Sequence, residues 1–370
     1  MVRSMTPPAV TVEALAAAYG DSLLVTCALR DGVWRLLVDT GTDECWPSLR
    51  ARLAQLPAVD GKRHIDLVII THIDHDHIGA AALLLSDTSL GLTFGDIWFN
   101  APPRPSTRGV VEGLSLASIL GGTQASLPWN RAWGGKPAVT TADSLFLELP
   151  VAEGLPRITL LSPNPTSLAT LFAVWDKELK KLGKSETPEP QPPAERGDVL
   201  NLESLANKVT PTDHAPANGS SITILLEHQG VSVLLGADAH PTVLVPALKA
   251  LAEDRKVPLP LQLDVFKLSH HGSRANITVD LMQAVQAQHY IVSTNGAIFG
   301  HPNDEAMARV ILKGGDRRKI WFNYRSEHTV KWGAVDLQNR YGYAAELPAG
   351  AHAAVNIALA ARGIGKGCSI

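Results

Sequence analysis

The stretch "IDLVIITHIDHDHIGA", residues 65–80, decides the fold because a mostly apolar strand runs directly into a dense group of polar side chains. Residues 71–80 hold three histidines and two aspartates. Alternate residues after a strand end can converge on one point, and imidazole with carboxylate ligands suits divalent metals. A solvated polar loop is the alternative, but this density directly after a buried strand favours a metal site.

The composition is that of an ordinary globular protein. The chain has 370 residues, enough for one large domain or two, with 45% hydrophobic and 19% charged residues. The net charge of −3 offers no general attraction for nucleic acid. Three cysteines without a CxxC pair indicate a reducing compartment. No apolar run approaches the length of a membrane span, so we expect a cytoplasmic protein without membrane contact.

Strand and helix patterns alternate in both halves of the chain. Short apolar strands with Gly turns precede mixed strand–helix segments, which predicts an α/β fold of two mixed sheets packed face to face with helices outside. Helices are expected near residues 109–120 and 278–288, among others. The Pro- and charge-rich segment 183–217 is expected to be a mobile loop within one domain, 1–335, followed by a C-terminal extension, 336–370.

Three further strand ends carry candidate ligands. "VLLGADAH" ends in Asp238, which suits a bridging carboxylate, although a helix N-cap ahead of Pro241 is the alternative. "VFKLSHHGS" ends in His270 and His271, and "FGHPND" places His301 at a loop-to-helix junction. Single histidines are usually structural, but polar side chains at four strand ends together predict one shared site.

These motifs, in this order, resemble the metallo-β-lactamase superfamily over residues 10 to about 335. The resemblance rests on "GDSLLV", "LLVDTG", "THIDHDHIG", "GSSITILLEHQGVSVLLGAD", "KLSHHGS" and "FGHP". It implies the αββα sandwich of that family. Within the family the chain is most similar to the branch that holds the C-terminal domain of ComEC-type competence proteins. That branch has an aspartate, here Asp74, at the second histidine of the usual H-x-H-x-D-H motif.

The resemblance implies a site for two divalent metal ions, Zn²⁺ or Mn²⁺. The implied ligands are His72 and Asp74 for the first metal, Asp76, His77 and His270 for the second, and Asp238 as the bridge. His75 takes a spacer position, and Asp39 of "LLVDTG" is expected to support the metal loop. His270 is preferred over His271 as the ligand by similarity to an "HWGT" pattern, with His271 left as the alternative.

The sequence departs from the family pattern at one ligand. A histidine usually precedes the strand that leads to the bridging aspartate, but here the segment reads "DHAPANGSS". It offers Asn218 and Ser221, while His214 lies too early. We therefore expect a weak ligand or substrate contacts from Asn218 and Ser221. A first site rich in oxygen ligands would accept Mn²⁺ as well as Zn²⁺.

The implied activity is that of a metal-dependent hydrolase, in particular a phosphodiesterase or nuclease. A hydroxide activated by the two metals, held through Asp76 and Asp238, would attack a phosphoryl group. His301 would contact a phosphate oxygen or protonate the leaving group. Arg274 and His271 are the further candidates for substrate binding, although Arg274 fits equally well as a surface arginine.

The substrate class is less well defined by the sequence. A phosphodiester, possibly in nucleic acid, is expected, and the tryptophans of "LPWNRAW" fit either base stacking or a hydrophobic anchor for a flap. The main alternative is a hydrolase of small-molecule esters, lactones or β-lactams on the same metals. A small-molecule phosphodiesterase is close to the first hypothesis, and a non-catalytic binding module is disfavoured by the set of ligand motifs.

Overall fold

A computed structural model describes residues 7–102, 116, 118–120, 127–182 and 201–362. The helix predicted near residues 109–120 therefore lies mostly outside the described residues, and so does the part of segment 183–217 up to residue 200. The rest of that segment contains two short helices.

Strands form two sheets at the centre of the described part of the chain. They are β1 Val10–Ala14, β2 Leu23–Leu29, β3 Gly32–Val38, β4 Arg63–Ile69, β5 Leu92–Trp98, β6 Leu147–Glu148, β7 Arg157–Ser162, β8 Thr223–His228, β9 Val231–Leu235, β10 Leu261–Lys267, β11 Val285–Val292, β12 Lys319–Phe322, β13 Ala344–Glu346 and β14 Val355–Leu359.

Helices connect these strands. They are α1 Trp46–Ala54, α2 His75–Ile78, α3 Ala81–Ser86, α4 Pro165–Leu182, α5 Leu202–Asn207, α6 Pro216–Gly219, α7 Pro241–Asp254, α8 Val279–Ala284, α9 Asp304–Lys313 and α10 Val335–Tyr341. Short 3-10 helices cover Asp43–Cys45, Arg131–Trp133, Ser269–Gly272 and Val330–Gly333. None of the described helices is both long and apolar enough to cross a bilayer.

The strands form two mixed sheets. The first has six strands in the order β14-β1-β2-β3-β4-β5, and the second has eight in the order β13-β12-β11-β10-β9-β8-β7-β6. Strands β3, β4 and β5 are parallel to one another, as are β9 to β13. The carboxyl ends of neighbouring parallel strands lie at one edge of a sheet, which is where ligands bind in such sheets.

The two sheets pack face to face because alternate residues of each strand point into a shared core. In β3, Leu36 joins the core between the sheets, while the next residue, Leu37, faces the helices on the outside. In β9, Val233 faces the core between the sheets, and the next residue, Leu234, faces the helices on the outside. Helices α1, α3 and α4 cover the first sheet, and α7, α8 and α9 cover the second. This confirms the predicted fold class of two mixed sheets with helices outside.

Two features differ from the expected elements. The helix predicted near residues 278–288 ends at Ala284, because Val285–Val292 pairs with β10 as a central parallel strand. Sheet pairing overrides the local helical pattern there. The C-terminal segment is more regular than expected, since β13 pairs with β12 and β14 pairs with β1.

The two sheets are joined by hydrogen bonds at the edge where the parallel strands end. Ile222 N donates to Thr71 O over 3.0 Å, and Ser293 Oγ donates to Gly20 O over 2.9 Å. The loops that follow β3, β4, β9, β10 and β11 therefore meet in one place. The candidate ligands predicted from the sequence lie on these loops.

Candidate metal centre

The loop after β4 is fixed by a buried carboxylate from the neighbouring strand. Asp39 accepts hydrogen bonds from Thr71 N and Thr71 Oγ1, both over 2.8 Å. Its Oδ2 also lies 2.8 Å from His77 Nδ1. Asp39 is fully buried, so one side chain sets both the start of the loop and the ring orientation of His77.

Four histidines direct Nε2 towards one carboxylate. Asp238 follows β9 and is buried, and its Oδ1 and Oδ2 atoms lie within 4.0 Å of all four Nε2 atoms. The distances are 3.4 Å from His77 to Oδ1, and 3.6 Å from His270, 3.8 Å from His271 and 4.0 Å from His72 to Oδ2.

The two aspartates of the loop divide these donors into two groups. Asp74 Oδ2 lies 3.6 Å from His72 Nε2. Asp76 Oδ2 lies 3.2 Å from His271 Nε2 and 3.7 Å from His77 Nε2. The Asp238 carboxylate lies close to histidines of both groups, as expected of a carboxylate that bridges two metal ions.

Charge and burial show that this group suits cations. Burial alone would lower the pKa of His77, but the carboxylates of Asp238 and Asp76 outweigh it and raise that pKa well above its usual value. Burial alone would raise the pKa of Asp238, but the charges of His77 and His270 hold it well below its usual range. Neighbouring histidines hold the pKa of Asp76 below its usual value as well, so both carboxylates stay ionised in a buried space and favour positive charge there.

Two buried atoms of the group have no hydrogen-bond partner, namely His72 Nε2 and Asp238 Oδ1. Unsatisfied buried lone pairs are costly unless another group meets them. Imidazole and carboxylate donors aimed at the same space meet the ligand preferences of Zn²⁺ and Mn²⁺. The residues present thus fit a divalent metal centre.

Comparison with known proteins agrees with this geometry. Residues 29–94 match the family model described as Metallo-beta-lactamase superfamily. The matched segment holds Asp39 and the histidine-rich loop of residues 71–80, and the two-sheet fold around it is the one expected for the family. Over these residues the chain is similar to the metallo-β-lactamase superfamily.

Two solved structures are similar to this chain at low identity. The metallo-beta-lactamase fold protein YhfI from Bacillus subtilis is 12% identical, with a TM-score of 0.41, over 94% of this chain and 99% of that chain. Igni18, described as a novel metallo hydrolase from the archaeon Ignicoccus hospitalis KIN4/I, is 11% identical, with a TM-score of 0.37. The match covers 94% of this chain and 98% of that chain. No curated protein matches the chain.

The structure places the histidine pair after β10 differently from the predicted ligand arrangement. His271, which we expected to bind substrate, is fully buried and lies with Asp76 and His77, the place predicted for His270. The reason is the backbone, since both histidines have left-handed dihedrals, with φ of 49° for His270 and 52° for His271. His271 Nδ1 donates to Ser293 O over 2.8 Å, which leaves its Nε2 for the centre.

His75 is turned away from the centre, as expected of a spacer. Its Nε2 lies 3.3 Å from Asp43 Oδ1, and its side chain is partly exposed. The neighbouring residues Asp76 and His77 are buried and face inward.

Two other residues that were predicted to contact substrate have protein partners instead. Ser221 is fully buried, and its Oγ accepts a hydrogen bond from Asp238 N over 3.3 Å, so it supports the bridging residue rather than a substrate. Arg274 is partly exposed, and its Nη1 lies 3.7 Å from Glu305 Oε1. The alternative of a surface arginine describes it better.

Asn218 and His301 lie close to the predicted ligands. Asn218 Nδ2 donates to Asp213 Oδ2 over 2.8 Å. The ring of His301 lies 5.2 Å from that of His270, and its buried Nδ1 has no hydrogen-bond partner. Burial, together with the nearby charges of His270 and His271, holds the pKa of His301 well below its usual value, so its ring is neutral.

The tryptophans of "LPWNRAW" pack on the first sheet. Trp129 Nε1 donates to Phe99 O over 3.0 Å, and the Trp133 ring lies edge-on to Trp98 at 5.2 Å. These contacts favour the flap-anchor interpretation over base stacking.

The sequence-based prediction missed Asp21. This buried aspartate follows Tyr19 and Gly20, forms an ion pair with the fully buried Lys267, and lies 3.4 Å from His271 Nδ1. It also belongs to a close group of potential metal ligands with His77, Asp238 and His271. The only sequence signals are the aspartate of "GDSLLV" and the lysine that interrupts the apolar run before "SHHGS".

We expect Gly20→Ala to displace the metal loop. A Cβ atom at Gly20 would lie 1.8 Å from Asp76 O and 2.8 Å from Asp76 Cβ, distances that the backbone cannot accept without moving. The variant should lose bound metal and melt at a lower temperature. Metal analysis and a thermal melt measure both effects. Gly350→Ala is the matched control, because a Cβ there meets no atom within 4 Å, and equal behaviour of the two variants would contradict the role of Gly20.

Proposed function

We propose that this protein is a metal-dependent phosphodiesterase with a dinuclear centre. The observation that carries the proposal is the shared carboxylate of Asp238, which faces four histidine Nε2 atoms between two donor groups. His72 and Asp74 would hold the first metal, and Asp76, His77 and His271 would hold the second.

Two bound divalent ions would supply a hydroxide nucleophile at neutral pH and neutralise charge on the attacked group. The chain's own residues orient the reaction. Asp39 fixes the His77 ring, and Ser221 holds the backbone of Asp238. His301 is neutral and buried, so its ring N–H can donate a hydrogen bond to a phosphoryl oxygen without adding a competing charge beside the metals.

Asp74 supports phosphodiester chemistry over the alternatives. An aspartate in place of a histidine adds a hard oxygen donor to the first group, which suits Mn²⁺ as well as Zn²⁺. The same feature is the basis of the resemblance to the ComEC-like branch, which suggests a phosphodiester substrate. The net charge of −3 does not provide a broad attraction for polynucleotides, so small phosphodiesters belong in the substrate test beside nucleic acid.

An aromatic wall lies beside this group. The ring of Phe299 stacks on His301 at 6.0 Å, and Tyr19 meets Phe299 edge-on at 6.1 Å. Both aromatic side chains are only partly buried. Such a wall would favour phosphodiesters with a ring in the leaving group, because stacking is tolerant of ring identity.

A substrate panel tests the proposal. Protein loaded with Mn²⁺ or Zn²⁺ should cleave bis(p-nitrophenyl) phosphate, and cleavage of single-stranded DNA would identify a nuclease. The same samples should leave nitrocefin and simple lactones intact. A metal-loaded protein that opens a lactone but cleaves no phosphodiester would support the rival esterase, lactonase or β-lactamase hypothesis.

A further inference from the structure

We propose that His270 supplies the missing ligand of the first metal, so that the consecutive residues His270 and His271 serve different metals. This inference rests on the proposed dinuclear function. Asn218 lies in the segment where the family usually has a histidine, and it directs its Nδ2 to Asp213. The first group otherwise has His72 and Asp74 as donors beside the shared Asp238.

The position of His270 matches that of a ligand to the first metal. Its Nε2 lies 3.6 Å from Asp238 Oδ2, and His72 Nε2 lies 4.0 Å from the same oxygen. His271 Nε2 is instead 3.2 Å from Asp76 Oδ2. The two neighbouring rings lie 6.0 Å apart and nearly perpendicular, so they approach the centre from different directions.

The Nδ1 atom of His270 has the kind of oxygen partner that is typical of metal-bound histidines. Its Nδ1 lies 2.9 Å from Asn276 Oδ1 and 3.4 Å from Asp213 Oδ2. Asn276 is fully buried and donates from Nδ2 to Asp213 Oδ2 and to Asp238 O, over 3.0 and 3.2 Å. A carboxylate or amide oxygen at Nδ1 fixes the tautomer with the Nε2 lone pair facing the metal.

The other three histidines show the same pattern. Each has Nδ1 within 2.9 Å of an oxygen, while Nε2 faces Asp238. The partners are Thr71 Oγ1 for His72, Asp39 Oδ2 for His77 and Ser293 O for His271. Because His270 shares this arrangement, we infer that it is a metal ligand and not only a ring that packs beside the site.

The strained backbone at His270 and His271 is a further sign that these two residues have a function. His270 and His271 both adopt left-handed dihedrals, and Gly272 continues at φ 85°. A left-handed conformation is unfavourable for a non-glycine residue, because its Cβ atom comes too close to the following carbonyl oxygen. His270 N donates to Ala237 O over 2.8 Å, which ties the turn to the residue before Asp238. Strain that is held in place beside reactive groups is typical of functional sites.

Asp213 is the positioning residue in this account. Its side chain is 8% exposed, and it accepts hydrogen bonds from Asn218 and Asn276 beside its contact with His270. His240 Nε2 lies 3.5 Å from its other oxygen. Losing the negative charge of Asp213 should therefore weaken His270 as a ligand without touching the metal itself.

Metal binding to single variants tests the proposal without reference to activity. The apoprotein is titrated with Co²⁺, whose visible absorption reports the ligand field, and metal content is measured by mass spectrometry. The wild type should bind two ions, and His270→Ala should keep one tightly while its affinity for the other falls at least about 100-fold. Asp213→Asn should weaken the same ion by about 10–100-fold, the range for loss of a supporting partner. His64→Ala, at a side chain that is 50% exposed, is the control.

The outcomes separate this inference from the proposed function. Two ions in the wild type and two equally tight ions in His270→Ala would overturn the assignment of His270 while the dinuclear centre stands. Loss of one ion in Asn218→Ala but not in His270→Ala would give the ligand role to the amide instead. A wild type that binds no second ion would overturn the proposed function itself. Thermal melts of the apoproteins verify that each variant is folded.

Discussion

Asp238→Asn should abolish tight binding of both metals and reduce phosphodiester hydrolysis by at least about 10²–10³-fold, the range for losing one strong electrostatic stabiliser. Asp238 faces donors of both groups, with four histidine Nε2 atoms within 4.0 Å of its carboxylate oxygens. An amide has nearly the same shape but lacks the charge that a bridge needs. Metal content and bis(p-nitrophenyl) phosphate turnover measure the effect.

The matched control for this change is Asp143→Asn, because Asp143 is exposed and lies outside the site. It should retain two metals and full turnover. Asp238→Asn should still fold, since the side chain keeps its volume, and circular dichroism checks this. Retention of one tight metal by Asp238→Asn would mean that the carboxylate is not shared.

Lys267→Met should lower the free energy of unfolding by about 3–5 kcal/mol, the cost of leaving a buried charge without its partner. Lys267 and Asp21 are both buried and form an ion pair. Burial alone would raise the pKa of Asp21, but the charges of Lys267 and His271 hold it well below its usual range. Without the lysine, the aspartate is an uncompensated buried anion or must take up a proton.

Urea unfolding with a chelator present measures this effect, because bound metal would add its own stabilisation. Lys319→Met is the control, since Lys319 pairs with the half-exposed Glu346 and should lose no more than about 1 kcal/mol. The double variant Asp21→Asn with Lys267→Met should recover much of the loss. A Lys267→Met protein as stable as its control would refute the buried pair.

The fold and most of the metal loop could be predicted because they depend on local patterns. Alternation of apolar residues predicts strands, and the spacing of His72, Asp74, Asp76 and His77 places four side chains at one strand end. The family resemblance sets His75 apart as a spacer, and in the structure its ring lies beside Asp43. Such features depend on residues a few positions apart, which a sequence shows directly.

The remaining features depend on long-range contacts or on single dihedral angles. The choice between His270 and His271 follows from two left-handed residues in succession, which no spacing rule reveals. Asp21 and Lys267 are 246 positions apart and meet only because the two sheets join at one edge. Ser221 has the polar character of a substrate contact, but its burial beneath Asp238 is a consequence of packing.

The most direct test of the central claim is anomalous X-ray scattering from crystals of the protein loaded with Zn²⁺ or Mn²⁺. Two peaks should appear about 3.5–4 Å apart, as in other two-metal sites. Asp238 should contact both, with His72 and Asp74 at one peak and Asp76, His77 and His271 at the other. A single peak, or metal bound away from Asp238, would contradict a dinuclear centre bridged by Asp238.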